Sequence, residues 1–112
     1  MKLITAIIRP EQLDDVRNGL ESYGVQGLTV SGAHGYGRQR GHTEIYRGAE
    51  YTVDLHQKIR IEVLASDEQA WDLVDIIVAS SNTGHAGDGK VWMLEVFEAV
   101  RVRTGERGVA AI

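Results

Sequence analysis

The residues best suited to chemistry lie in a glycine-rich stretch from Thr83 to Lys90. Glycine lets main-chain N–H groups turn towards an anion, and a lysine adds positive charge to such a cradle. The segment from Gly84 to Lys90 matches the G-x-x-x-x-G-K part of a phosphate-binding loop. Val91 replaces the hydroxyl residue that holds magnesium in that motif, which argues against a P-loop NTPase. Two interpretations remain: a polyphosphate cradle of another kind, and a plain glycine turn.

A second candidate segment is Arg101-Val102-Arg103-Thr104-Gly105-Glu106. Alternate residues of an extended segment point to the same side, so both arginine side chains are expected on one side. Two guanidinium groups together suit phosphate oxygens. A solvated edge strand has the same pattern and is the alternative.

Lys58, Arg60 and Glu62 alternate with apolar residues and form the polar face of a predicted strand. They line a ligand cleft in one interpretation and are ordinary surface charges in the other. The histidines have no zinc-binding spacing: they are His34, His42, His56 and His85. His85 has the alternative role of a phosphate acceptor in a histidine-dependent phosphotransferase, although loop histidines are usually solvated.

The composition is that of a single globular domain of 112 residues. The net charge of −4 argues against direct binding of nucleic acid. The sequence contains no cysteine, which excludes disulfides, thiol catalysis and thiolate metal sites. No apolar run approaches the roughly 18 residues of a membrane span, and the first residues do not resemble a secretory signal. We therefore expect a cytoplasmic protein.

The elements that must position these residues follow a strand–helix–strand pattern twice. Strands are predicted at residues 2–9, 28–35, 57–64 and 91–97. The first helix begins at Pro10 and stops at Gly24. The second begins at a capping box of Ser66 and Gln69 and runs to about residue 80. Its predicted buried stripe is Trp71, Val74 and Val78, with Leu73 and Ile77 beside it.

Two such units indicate an α+β, ferredoxin-like βαββαβ fold, with an antiparallel sheet and both helices on one face. The first and last strands offer apolar residues on both sides, so the open sheet face is expected to support oligomerisation. Between the second and third strands of this sheet lies a long loop, about residues 36–56. Loops of this length are usually functional. We interpret it as a mobile docking arm, with a surface hairpin extension as the alternative.

Three segments together resemble the P-II family of nitrogen regulatory proteins across essentially the whole chain. Residues 37–51 resemble the family's T-loop, Thr83–Lys90 its B-loop, and Arg101–Glu106 with the ending Ala110-Ala111-Ile112 its C-loop and tail. The resemblance divides the single domain, 1–112, into a T-loop at about 37–55, a B-loop at about 82–90 and a C-loop at about 101–106.

The resemblance implies a homotrimer that is not an enzyme and has no catalytic residues. ATP or ADP is expected between neighbouring subunits, with Glu62 and Leu64 near the adenine and Arg101 and Arg103 reaching in from the adjacent subunit. The full implied nucleotide set is Gly35, Gly37, Arg38, Glu62, Leu64, Thr83, Gly84, Gly87, Asp88, Gly89, Lys90, Arg101 and Arg103. The implied 2-oxoglutarate site uses Arg9, Gln39, Lys58 and Gly87, with Mg²⁺ at Gln39 bridging ATP and 2-oxoglutarate.

The same resemblance implies signalling of nitrogen, carbon and energy status. Tyr51 matches the T-loop tyrosine that a nucleotidylyltransferase modifies, and Arg47 matches the arginine that docks into ammonium transporters of the Amt type. Nitrogen-assimilation enzymes are further expected targets, and recruitment to the membrane is expected through the transporter. His85 and Ala86 depart from the lysine and isoleucine usual in the B-loop, so a P-II-like regulator of another pathway, such as bicarbonate uptake, is the alternative.

Overall fold

The computed structural model describes residues 1–37, 43–46, 49–52 and 55–112, with the backbone alone for 43–46 and 49–52. The strands are β1 Lys2–Ile8, β2 Thr29–Gly35, β3 Thr43–Tyr46, β4 Ala49–Thr52, β5 His56–Ala65 and β6 Gly89–Glu95. The helices are α1 Leu13–Tyr23 and α2 Asp67–Ser81. Short 3₁₀ turns occupy Pro10–Gln12 and Gly108–Ala111.

The main sheet has the order β2-β5-β1-β6, and each neighbouring pair is antiparallel. Ile4 of β1 lies opposite Val63 of β5 and Met93 of β6. Because side chains alternate along a strand, every second residue of β1 and β5 enters the core. The core is Ile4, Ala6, Ile8, Val16, Leu20, Ile61, Val63, Ala65, Ala70, Leu73 and Ile77. This arrangement confirms the predicted ferredoxin-like fold.

Three of the four helix ends agree with the sequence, whereas α1 begins at Leu13, after a 3₁₀ turn at the predicted start, Pro10. Gly24 ends α1 in the left-handed region with a φ of 117°, as expected for a glycine stop. Ser66 precedes α2 at the N-cap position but makes no side-chain capping hydrogen bond. The capping-box bond between Ser66 and Gln69 was therefore a wrong prediction, although the position of the helix start was right.

The predicted buried face of α2 was wrong in part: Leu73 and Ile77, placed beside the stripe, are buried, but the stripe itself is not the buried row. The buried residues are Ala70, Leu73, Ile77 and Ser81. Trp71 and Val78, placed on the stripe by the prediction, are 68% and 47% exposed. The buried set keeps the spacing of a helix face but lies one position earlier on the helix than Trp71, Val74 and Val78.

The sheet face away from the helices carries apolar residues in rows. Leu3 of β1 lies between Leu64 of β5 and Leu94 of β6. Leu94 is 59% exposed and Trp92 is 43% exposed, so the predicted apolar open face is present. Strand β6 ends at Glu95, two residues before its predicted end, and Phe97 is fully exposed beyond it.

Within the long insertion, β3 and β4 form an antiparallel hairpin in which Tyr46 lies opposite Ala49. These two strands agree with the hairpin alternative, and the role of the segment as a docking arm stays a prediction. Tyr51 belongs to β4 and pairs with Glu44. Across the described residues, neither helix has both the length and the apolar character needed to cross a membrane.

Candidate functional site

The glycine-rich loop before β6 has a backbone that requires glycine at several positions. Gly84, Gly87 and Gly89 have φ values of 82°, 99° and 101°, a region that other residues rarely adopt. At Gly89 a Cβ atom would lie 1.7 Å from the main-chain oxygen of Ile7. The loop can therefore approach the end of β1 this closely only with glycine at position 89.

The carboxylate of Asp88 joins the end of this loop to its start through hydrogen bonds. It accepts hydrogen bonds from the main-chain N–H of Thr83 at 2.6 Å and of Gly84 at 3.0 Å. The hydroxyl of Thr83 donates to the same carboxylate. These bonds from Thr83, together with one from Arg9, hold the pKa of Asp88 well below its ordinary value. The negative charge of Asp88 is thus already engaged by Thr83, Gly84 and Arg9.

Arg9 ties the loop to the end of β1. Its Nε lies 2.9 Å from Oδ1 of Asp88, and its Nη2 donates to the main-chain oxygen of Ala86 at 2.6 Å. Both contacts are made to residues of the glycine-rich loop, and the Arg9 side chain is 19% exposed. Arg9 therefore positions the loop in this structure, whereas the resemblance assigned it a part in binding 2-oxoglutarate.

Lys58 lies beneath the same loop and is buried. Its Nζ donates to the main-chain oxygen of Gly87 at 2.8 Å. Burial, followed by the nearby positive charge of Arg9, lowers the pKa of Lys58. An anion bound beside Lys58 would offset both effects and favour the charged ammonium.

A cleft of about 640 Å³ opens between this loop, β5 and the end of β2, and we call it the loop cleft. Its lining is Ile7, Gly35, Tyr36, Gly37, His56, Lys58, Ala86, Gly87, Asp88, Gly89, Lys90 and Trp92. The fold thus brings together six residues of the expected nucleotide set: Gly35, Gly37, Gly87, Asp88, Gly89 and Lys90. Of the expected 2-oxoglutarate set, Lys58 and Gly87 line the cleft.

Other members of the expected nucleotide set lie elsewhere on the chain. Glu62 and Leu64 line a second cleft of about 670 Å³ beside Thr29 and the C-terminal Ile112. We call it the C-terminal cleft. Arg101 pairs with Glu106 at 3.5 Å and donates to the main-chain oxygen of Ile112 at 3.2 Å. Neither Arg101 nor Arg103 lines the loop cleft.

Three expected site residues, Arg38, Gln39 and Arg47, lie outside the described residues. Among the residues that are described, no group of three or more His, Asp or Glu side chains is placed to hold a metal ion. His85 is exposed and lies outside the lining of the loop cleft. The phosphotransferase alternative therefore gains no support from its position.

Comparison with known proteins assigns the chain to a family. The family model described as nitrogen regulatory protein P-II matches residues 1–106. The chain belongs to the P-II family. Among its relatives, the nitrogen regulatory protein P-II of Rhizobium meliloti (strain 1021) is 50% identical over 112 residues, which is 100% of both chains. Nitrogen regulatory protein GlnK of Escherichia coli (strain K12) is 48% identical over 112 residues, again 100% of both chains. Membership in the P-II family supports a role in nitrogen signal transduction.

Sequence reasoning missed several residues of this P-II protein that line the loop cleft, among them Tyr36, Trp92 and His56. His56 had a usable signal, because alternation continued back from Lys58 would place it on the same face, but the strand was predicted to begin at residue 57 and His56 was assigned to the long loop. Tyr36 and Trp92 had none, since their place in the cleft depends on how distant strands pair.

Proposed function

We propose that this P-II protein senses ATP or ADP together with 2-oxoglutarate, and that it transmits the result to target proteins through its T-loop, about residues 37–55. The observation that carries the proposal is the glycine-rich loop held over a cleft that contains Lys58 and Lys90. Two neighbouring ligand sites in one cleft give each ligand a route to influence the binding of the other.

The loop fits a polyphosphate in both conformation and charge. Its left-handed glycines allow close approach of the main chain to a ligand. Asp88 is the one acidic side chain in the described lining, and it is already bound by Thr83 and Arg9. Repulsion of an incoming phosphate is thereby reduced, while Lys90 at the cleft supplies an opposite charge. The cleft volume lies in the usual range for small-molecule sites.

Magnesium is proposed to bind through oxygen atoms of ATP and 2-oxoglutarate, with Gln39 as its protein ligand. Mg²⁺ in nucleotide sites commonly keeps few protein ligands and relies on phosphate oxygens. The described lining has one acidic side chain, Asp88, which is already engaged, and this suits that kind of coordination. When bound, the ion would offset the negative charges of the two ligands.

The distal carboxylate of 2-oxoglutarate is proposed to bind Lys58. The ammonium group is buried beside Gly87, so an anion there would interact with it across little water. The lowered pKa of Lys58 supports this assignment, because a bound carboxylate relieves the unfavourable burial of the charge.

A homotrimer is proposed to complete the nucleotide site. The expected residues occupy separate surfaces of one chain, with Lys90 in the loop cleft and Glu62 in the C-terminal cleft. A ring of three identical head-to-tail contacts would bring the loop cleft of each subunit against Arg101 and Arg103 of the next. The apolar row of Leu3, Leu64 and Leu94 on the open sheet face provides surface to bury in such a ring.

The downstream part of the proposal concerns the T-loop. Tyr51 is the proposed site of nucleotidylation, and Arg47 the proposed contact to an ammonium transporter of the Amt type. Nitrogen-metabolism enzymes are further proposed targets, with the protein in the cytoplasm and recruited to the membrane by the transporter. The relatives named P-II and GlnK support this assignment to nitrogen regulation.

Calorimetric titration of 2-oxoglutarate, with and without magnesium-ATP, tests the proposal directly. We expect binding of 2-oxoglutarate only when magnesium-ATP is present. Nucleotide binding without any 2-oxoglutarate binding would overturn the effector assignment and favour a P-II-like regulator of another pathway. Absence of both would overturn the sensor function and leave the fold and family unchanged.

A further inference from the structure

One polar atom at the loop cleft has no partner in the described part of the chain. Nε2 of His56 is buried and makes no hydrogen bond there. Buried polar atoms are nearly always hydrogen-bonded, because an unpaired one loses its bond to water without replacement. An unpaired nitrogen in a ligand cleft therefore points to a partner supplied by the ligand.

The strand register places His56 beside Lys58. The two residues stand at alternate positions of β5, so their side chains leave the same face of the sheet. Both line the loop cleft, together with Gly87 of the glycine-rich loop. On the neighbouring strand β2, His56 lies opposite Gly35, which has no side chain. A Cβ atom at Gly35 would meet nothing within 4 Å, so there is space next to His56 on that side.

The surrounding charges select an anionic partner. Lys58 and Lys90 line the cleft, and Arg9 and Asp88 neutralise each other at its inner edge. A cationic ligand would be repelled by the lysines, whereas a carboxylate would be attracted by them. A carboxylate has two oxygen atoms, so it can accept one hydrogen bond from the Lys58 ammonium and another from an imidazole N–H.

We propose that His56 is a specificity-determining residue for the dicarboxylate effector, and that its Nε2–H donates to the carboxylate that Lys58 binds. The inference rests on the proposed function, since it requires that 2-oxoglutarate binds in the loop cleft. The second donor distinguishes a ligand with a carboxylate at this point from one with a methyl group, which would leave Nε2 unpaired.

The variants that test this compare His56 with a histidine outside the cleft. His56→Leu removes the donor by placing an apolar side chain of similar bulk at this position. His56→Gln retains an N–H donor. His34→Leu is the matched control, because His34 is exposed on β2 and does not line the loop cleft. Affinities for 2-oxoglutarate in magnesium-ATP, and for ATP alone, are measured by calorimetry, with thermal unfolding as a check of folding.

In His56→Leu we expect 2-oxoglutarate to bind about tenfold more weakly, and ATP to bind within about twofold of the wild type. His56→Gln is expected to retain most of the effector affinity, and His34→Leu all of it.

Other outcomes would reject either the proposed function or the role of His56. A wild type that does not bind 2-oxoglutarate rejects the proposed function. A wild type that binds it, with His56→Leu binding equally well, rejects the role of His56 alone. Equal losses for 2-oxoglutarate and ATP would show that His56 supports the cleft without contacting the carboxylate. If His56→Leu does not fold, a large loss of affinity in His56→Gln also rejects the donor role.

Discussion

Arg9 and Asp88, 79 positions apart in sequence, are joined by a contact of 2.9 Å between Nε and Oδ1. The contact forms because β1 and β6 are antiparallel neighbours, with Ile8 opposite Gly89. The end of one strand and the start of the other therefore meet at the glycine-rich loop. The pair holds the loop over the cleft through a contact within the chain itself, so less ordering is required when an anion binds.

Asp88→Asn is expected to lower the free energy of unfolding at neutral pH. It is also expected to make that free energy fall less as the pH is lowered. The pKa of Asp88 is held far below its ordinary value of 3.8 in the folded state. Its stabilising effect is therefore complete above the unfolded pKa and is lost progressively as the pH falls below about 4. Urea unfolding between about pH 7 and about pH 3 should show the difference between variant and wild type shrinking towards acid.

The control for that measurement is Asp75→Asn, which changes an exposed carboxylate of α2. We expect the stability difference between this variant and the wild type to show no acid-dependent decrease. A difference between Asp88→Asn and wild type that stays constant through the acid range would contradict the role given to the ionised carboxylate.

Gly89→Ala is expected to destabilise the protein by about 3 kcal/mol or more, because it combines a left-handed backbone with a steric clash. The added Cβ would lie 1.7 Å from the main-chain oxygen of Ile7, so β6 or the loop must move. Gly32→Ala is the control, since a Cβ there meets nothing within 4 Å. Chemical denaturation should separate the two variants clearly, and similar stabilities would refute the close approach.

Local patterns were sufficient to predict the order of the two helices and the four strands of the main sheet, and with them the fold. Alternation in β5 and the glycine stop at Gly24 depend on neighbouring residues only, and both were predicted correctly. The buried face of α2 was not, because Trp71 is large and apolar yet points to solvent. Helical spacing gives the period of a stripe, whereas the packing of sheet against helix decides which of two adjacent stripes is buried.

The candidate site was predicted in part for a related reason. Glycines and cations such as Lys58 and Lys90 can be recognised by type, and the fold brings them together in the loop cleft. The engagement of Asp88 by Arg9 could not be predicted, because it requires the register of β1 with β6. The unpaired nitrogen of His56 is a property of the folded cleft and has no signature in composition.

Lys58→Ala is expected to abolish detectable 2-oxoglutarate binding while ATP affinity changes less. The substitution removes the buried ammonium proposed to bind the distal carboxylate, and loss of a charged hydrogen bond in such a site commonly costs tenfold or more, about 1.5–3 kcal/mol. Calorimetry with each ligand measures both effects. Arg17→Ala removes an equal charge from exposed α1 and should leave both affinities unchanged. Retained 2-oxoglutarate binding in Lys58→Ala would refute the assignment.

Leu94→Glu is expected to convert the proposed trimer into monomers. Leu94 is 59% exposed on the open sheet face, and a carboxylate buried between subunits would be strongly unfavourable. Sedimentation equilibrium measures the change in mass. Trp71→Glu is the control, because Trp71 is even more exposed, at 68%, on the helical side. Dissociation caused by Trp71→Glu and not by Leu94→Glu would show that the subunits contact each other through the helical side, and would refute the contact proposed on the open sheet face.

Lys90→Ala and Arg103→Ala are each expected to weaken ATP binding about tenfold or more, because each removes a cation proposed to contact phosphate. The structure separates the two residues on one chain, since Lys90 lines the loop cleft and Arg103 does not. If each site combines Lys90 of one subunit with Arg103 of the next, the two variants should complement each other when they assemble together.

Equal amounts of the two variants, unfolded and refolded together, would form mostly mixed trimers. In a ring of three head-to-tail contacts, each mixed trimer contains one site with both wild-type residues, so about a quarter of all sites should regain wild-type affinity. Titration of the mixture should resolve this tight-binding fraction, and each variant refolded alone should show none. A mixture that binds as weakly as the separate variants, although sedimentation shows mixed trimers, would require both residues to act from the same subunit and would refute the shared site.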